Sequence, residues 1–304
     1  MKPFTTLSFV ACFLLLCFGY CKKRNSAEDN IYRINGTIAS NGISRTYLLN
    51  LPPDYYKNGS FPLVIALHGG GGGGLQFESK TGLTEKANAE HFVIVYPDGF
   101  PGPAKNRSWN AGSCCGAAQA DNIDDVGFIK QLIAFLKANY KIDPARIYVT
   151  GHSNGGMLAY RLASELSDEI AAIAVNSCTM VVTAAIHPSR PVPVLHMHSA
   201  LDEKVPFSGG IGITGAYYPP VDSVLNVWAA INACGNPPQT TNFNTYIFRQ
   251  WVNCSSKATV QLYLTNDGGH SWPGGQSDNP NADPPSTAIN ADNLLWSFFQ
   301  KYTL

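Results

Sequence analysis

Six short, almost wholly apolar runs recur along the chain, at residues 61–68, 92–96, 146–150, 170–175, 192–198 and 259–264. Each is too short for a buried helix and rich in Val, Ile and Leu, which is how a strand covered on both faces reads. Helical patterns lie between them. The clearest starts at Asp124 and Asp125, whose charges suit a helix N-terminus, and carries Val126, Ile129, Leu132, Ile133 and Leu136 at helical spacing before ending near Tyr140. Others follow Ser153 and run from Ala291 to Lys301. Ahead of the first apolar run, residues 31–38 and 45–51 are β-rich and separated by Asn41-Gly42, a hairpin signal. The pattern predicts an α/β fold: a mostly parallel central sheet flanked by helices, with an antiparallel N-terminal hairpin. At 304 residues and 45% hydrophobic content the chain has ample core for this. No internal repeat or linker divides residues 31–304, which read as a single domain.

The first twenty residues differ in kind. Lys2 is their only charge, and an apolar stretch centred on Phe9 to Leu16 follows, the pattern of an export signal. Cys21 ends it and opens a polar tether, residues 21–30, which leaves lipidation of Cys21 open beside simple cleavage. The expected location is secreted, periplasmic or cell-surface, with a membrane partner only through such an anchor. Export would place Cys114, Cys115, Cys178, Cys234 and Cys254 where disulfides persist. Cys234 and Cys254 flank an expected strand hairpin and suit a local bridge, whereas Cys114 and Cys115 compete for Cys178. With 21 basic and 21 acidic side chains, and only 14% charged residues, nothing favours a nucleic-acid partner.

The strand at 146–150 runs straight into Gly151-His152-Ser153-Asn154-Gly155-Gly156, which opens a helix. Glycines around a serine allow a sharp strand-to-helix turn that lifts its hydroxyl above the sheet beside helix N-terminal amides. A serine hydroxyl needs a base oriented by an acid, and both are expected later in the chain. Asp202, at the C-terminal end of the 192–198 run, is the candidate acid, with Glu203 as its rival. His270, in the glycine-rich loop after the last run, is the candidate base. His68 and the run Gly69 to Gly74 offer a backbone N–H to an oxyanion, which would join the amide of Asn154. His68 is expected to prop that loop, and His91 and His187 to be surface residues. His196 and His198 alternate on one strand face and could ligate a metal with Asp202, but no further ligand lies at a convincing spacing, so no metal or other cofactor is expected.

Together these residues resemble the α/β-hydrolase superfamily, and more narrowly its secreted polyhydroxybutyrate depolymerase-like and feruloyl esterase-like serine esterases. The resemblance spans roughly residues 45–300. It rests on Leu67-His68-Gly69-Gly70, Tyr96-Pro97-Asp98-Gly99, Trp109-Asn110, Cys114-Cys115-Gly116, Asp124 to Phe128, Gly151 to Gly156, Asp202 to Pro206 and Gly269 to Gly274. It implies an α/β-hydrolase fold with Ser153 as nucleophile, His270 as general base and acid, and Asp202 as its orienter. It also implies an oxyanion hole from Asn154 and Gly70 or a neighbouring glycine. The expected partner is a small-molecule or oligomeric ester, of the ferulate or hydroxybutyrate type, with Trp109 and Trp272, and Tyr217 and Tyr218, as walls of an acyl pocket. The rival reading is a non-catalytic surface lipoprotein that binds a glycan or lipid in a hydrolase-like cleft.

Overall fold

All six apolar runs become neighbouring strands in the middle of one ten-stranded sheet. The structure is a computed structural model that describes residues 1, 30–57, 59–183, 185–212, 215–277 and 280–304. Across the sheet the order is Arg33–Ser40, Ile43–Asn50, Val93–Pro97, Phe61–Leu67, Ile142–His152, Ala172–Asn176, Val194–Ser199, Val260–Thr265, Tyr246–Trp251 and Gln239–Asn242. The six central strands, from Val93–Pro97 to Val260–Thr265, are parallel, and two antiparallel strands close each edge. One edge pair is the expected N-terminal hairpin, whose turn residues Asn41 and Gly42 both take positive φ, 50° and 79°. Residues 31–304 form one compact unit.

The near-continuous hydrophobicity of the central strands has a direct cause: both faces are covered. Leu63, Ile65, Leu67, Ile147, Val149, Ile173 and Val175 pack on one side against helices Asp125–Asn139, Asn154–Glu165 and Val221–Ile231. Val64, Ala66, Ile94, Tyr148, Ala172 and Ala174 pack on the other against Leu83–Glu90 and Ala291–Phe299. The Asp125–Asn139 helix begins where its charges predict, because the Asp124 carboxylate caps it by accepting the Gly127 N–H at 2.8 Å. One strand begins earlier than its apolar run, at Ile142, since the chain around Asp143-Pro144 is already extended.

Cys234 and Cys254 are bonded and clasp the far edge hairpin. The expectation that Cys114 and Cys115 compete for Cys178 is corrected: they are bonded to each other, and Cys178 is a buried thiol. Its sulfur packs into the space that Gly156 leaves, 2.7 Å from where a Cβ on that glycine would stand. The expected export signal, Cys21 and most of the 21–30 tether lie outside the described residues. No helix among the described residues is long and apolar enough to cross a membrane.

Candidate active site

Ser153 joins the longest central strand to the Asn154–Glu165 helix, with φ 52° and ψ −123°. That backbone conformation is costly for a residue with a side chain, and the surroundings hold it in place. The Ser153 N–H donates to Asn176 O at 2.9 Å. A Cβ on Gly151 would come within 2.5 Å of the Gly155 backbone, and one on Gly155 would collide with the carbonyl oxygens of Leu67 and His68. Glycine at both positions is what lets the turn pack this tightly against the neighbouring strand.

Two loops at the C-terminal ends of parallel strands bring the other candidate residues to this hydroxyl. His270 Nε2 lies 2.8 Å from Ser153 Oγ, and His270 Nδ1 lies 2.8 Å from Asp202 Oδ2. The other oxygen of Asp202 accepts the Lys204 and Val205 N–H groups, both at 2.9 Å. Burial alone would raise the Asp202 pKa, but its hydrogen bond to His270, the electrostatic pull of the neighbouring imidazoles and the Val205 N–H hold the carboxyl below its ordinary range. Glu203, the rival acid, is exposed.

Asp283, which sequence reasoning missed, ties these two loops together. Its Oδ2 accepts the His270 N–H at 3.1 Å and pairs with Lys204 Nζ at 3.2 Å, so one carboxylate grips both the base loop and the acid loop. Thirteen residues separate it from His270 across a loop without regular spacing, and no local motif marks it.

In the glycine run, the Gly71 N–H is taken by Arg107 O at 2.7 Å and the Gly72 N–H by Gly69 O at 3.2 Å. Gly74 already belongs to a helix and donates to Asp98 Oδ1 at 2.8 Å. Among the described residues the N–H groups of Gly70 and Asn154 have no such acceptor, and a Cβ on Gly70 would stand 3.8 Å from Asn154 Cβ. His68 is buried beneath the run: its Nε2 accepts the Gly99 N–H at 2.9 Å and its Nδ1 donates to Gly69 O at 2.7 Å. Burial pushes its pKa down to about 4.

Trp109 is not a wall of the cleft, which corrects the expectation. It is fully buried, with its indole N–H donating to His68 O at 2.9 Å. Its backbone N–H and C=O are both met by the Asn154 side-chain amide, at 2.7 and 2.9 Å, so it serves as a strut between the glycine loop and the Ser153 helix. Trp272 does line the cleft, nearly buried, with its N–H on Asp292 Oδ1 at 2.8 Å and its ring edge-on to Phe77. Tyr218 faces the cleft, while Tyr217, next to it on a two-residue strand, points to solvent.

The cleft above Ser153 has a volume of about 570 Å³. Phe77 and Trp272 line it with Met157, Val205 and Tyr218, and Gln76, Lys80 and Gln276 make it polar elsewhere. His152 also lines it; Asn176 Nδ2 donates to its Nδ1 at 2.9 Å, so the neutral ring carries its proton on Nε2. His91 and His187 are exposed, as expected of surface residues. The rings of His196 and His198 are wholly engaged in hydrogen bonds, and no metal-binding cluster occurs among the described residues.

The chain is similar in sequence and in fold to esterases. A family model described as Esterase PHB depolymerase matches residues 45–207. A protein named feruloyl esterase B from Piromyces equi is 30% identical over 235 residues, which cover 74% of this chain but 42% of that one. The chain therefore spans less than half the length of that relative. A probable feruloyl esterase C from Aspergillus clavatus is 28% identical over 257 residues, 82% of this chain and 81% of the other. Among solved structures, an acetyl xylan esterase from Aspergillus awamori shares the fold with a TM-score of 0.63 at 15% identity, over 88% of this chain and 99% of that one.

Proposed function

The chain belongs to the Esterase PHB depolymerase family, and from that premise we propose that it is an exported serine carboxylic-ester hydrolase acting through Ser153, His270 and Asp202. The observation that carries this reading is the line from Ser153 Oγ through both nitrogens of His270 to Asp202, with each link 2.8 Å. In the proposed reaction His270 Nε2 takes the proton as Ser153 Oγ attacks the ester carbonyl, and the negative charge on the carbonyl oxygen falls to the N–H groups of Asn154 and Gly70. Collapse of the tetrahedral intermediate breaks the ester C–O bond, and His270 returns the proton to the departing alcohol. Water then attacks the acyl-serine with the same base, releasing the acid and restoring Ser153. Asp202 keeps His270 in the tautomer with its proton on Nδ1.

The substrate class is a soluble ester or short oligomer of the ferulate or hydroxybutyrate type. Phe77 and Trp272, set at right angles, offer an apolar corner for the acyl group, and the glutamines and Lys80 suit a polar alcohol portion. Relatives named feruloyl esterase support the first of these types, and the family description supports the second.

The test compares initial rates of the mature protein with those of Ser153→Ala on methyl ferulate, short p-nitrophenyl esters, acetylated xylan and soluble hydroxybutyrate oligomers. The expected result is turnover on at least one of these that falls about 10⁴-fold or more in the variant, with its melting temperature unchanged. Equal rates for the two proteins would reject the hydrolase reading in favour of a binding protein that retains the cleft.

A further inference from the structure

Beside Asp202 three buried side chains form a hydrogen-bonded row that the proposed reaction does not use. Tyr160 projects from the Asn154–Glu165 helix, and its hydroxyl lies 2.7 Å from His196 Nδ1. His196 Nε2 lies 3.0 Å from His198 Nδ1, both residues sharing one face of the Val194–Ser199 strand. His198 Nε2 lies 2.9 Å from Val205 O and 3.5 Å from Asp202 Oδ2, the same oxygen that meets His270. All three side chains are within 1% of full burial, under Trp228 and Phe207.

The far end of this row decides where its protons sit. Val205 O can only accept, so His198 carries its proton on Nε2, and as a neutral ring it accepts at Nδ1. The donor to that nitrogen is then His196 Nε2–H, which leaves His196 Nδ1 to accept the Tyr160 hydroxyl proton. The O–H and N–H groups run in one direction from Tyr160 through His196 to His198 and end on Val205 O, with Asp202 Oδ2 3.5 Å from the last nitrogen, and bonds aligned this way polarise one another. Burial favours the neutral form of both rings. The titratable groups facing the row are Cys178 beside Tyr160, and Asp202, His270 and His152 around His198.

We propose that Tyr160, His196 and His198 are positioning residues that fix the Asp202 carboxylate and share its charge, so that His270 receives only part of it. The inference rests on the esterase reading, and it extends the site by three residues on the helix and strand beneath it. Removing the row should leave more of the carboxylate's charge on His270 and make the base hold its proton more tightly. The acid side of the rate profile then moves to higher pH.

Two measurements on the full chain test this. Nitrogen-15 histidine NMR at pH 7 should show His196 and His198 neutral, each with its proton on Nε2; either ring charged, or protonated on Nδ1 instead, overturns the proposal without recourse to turnover. The second is the pH dependence of Ser153-dependent hydrolysis in Tyr160→Phe and His198→Phe. The acid midpoint should rise by about half a pH unit or more in His198→Phe and by less in Tyr160→Phe, with kcat lowered about tenfold in the former. An unmoved midpoint, with rates that fall only in proportion to the active sites titrated by a fluorophosphonate, would make the row merely structural. Tyr160→Phe keeps the packing should His198→Phe fail to fold. If the wild-type protein shows no Ser153-dependent hydrolysis, the esterase reading fails, and the tautomers still decide the state of the row.

Discussion

Asn154 turns its backbone and its side chain to different neighbours. At the start of a helix beside Ser153, its backbone N–H has no acceptor among the described residues, while its side chain meets both backbone groups of the buried Trp109. Asn154→Ala should therefore separate them. The backbone donor survives, but the Trp109 N–H is left buried without a partner, at about 1–3 kcal/mol, while its C=O keeps the Cys115 N–H at 3.2 Å. The expected outcome is a protein several degrees less stable by thermal melting that keeps its rate within about tenfold on the best ester. A loss of rate as complete as that of Ser153→Ala would instead assign the side chain to the reaction. Trp109 was expected at the cleft because an indole in such a loop suits an aromatic substrate. Which of its faces meets neighbouring atoms depends on Asn154 and His68, far off in sequence, so the local pattern could not show its burial.

At the scale of elements, the site is four loops at the C-terminal ends of central strands, and what aligns them is a small set of side chains outside any motif. Asp283 grips the His270 N–H and Lys204 at once, and Asp267 fastens the same base loop to the 286–287 segment through Ser286 Oγ and the Thr287 N–H. Asp283→Asn keeps the shape but removes the charge that pairs with Lys204. It should lower kcat about tenfold, because small misplacements of a base against its nucleophile are costly, with little change in KM or in unfolding temperature. A full rate in Asp283→Asn would show that packing of the loop suffices to place His270. The strand-to-helix turn at Ser153 was legible because its glycines and serine are contiguous. The clasp by Asp283 was not, because its partners come from separate loops.

Over the whole molecule, buried His68, His196 and His198, with half-buried His152, make stability depend on pH on the acid side. Burial pushes the pKa of His68 to about 4, and those of His152, His196 and His198 below the ordinary histidine value. In the unfolded chain each takes up a proton as the pH falls through about 6.5, whereas in the folded protein each resists it. The folded state therefore loses stability as pH drops below about 6.5, and His68 ceases to contribute further loss near pH 4, where it protonates in place. For His68 alone the accumulated loss is about 3 kcal/mol. Urea unfolding at pH 7, 6, 5 and 4 should show a steadily falling midpoint, and a midpoint constant down to pH 5 would contradict the burial of these rings as neutral groups.

The sequence by itself determined the strand order's parallel core, the antiparallel opening hairpin, the turn at Ser153 and the chain positions of Asp202 and His270 as candidates. The first three are written in contiguous residues, as unbroken apolar runs, a paired turn dipeptide and a glycine-flanked serine, whereas Asp202 and His270 were candidates through their chain order after Ser153 and the family resemblance. Only the tertiary structure decided that Cys114 and Cys115 bond to each other, that Trp109 is a strut, that Asp283 joins two loops and that Tyr160, His196 and His198 stand in line behind Asp202. The physical reason is range. A hydrogen bond or a packed ring is decided within a few ångströms in space, and in this fold the groups that meet come from strands and loops tens of residues apart.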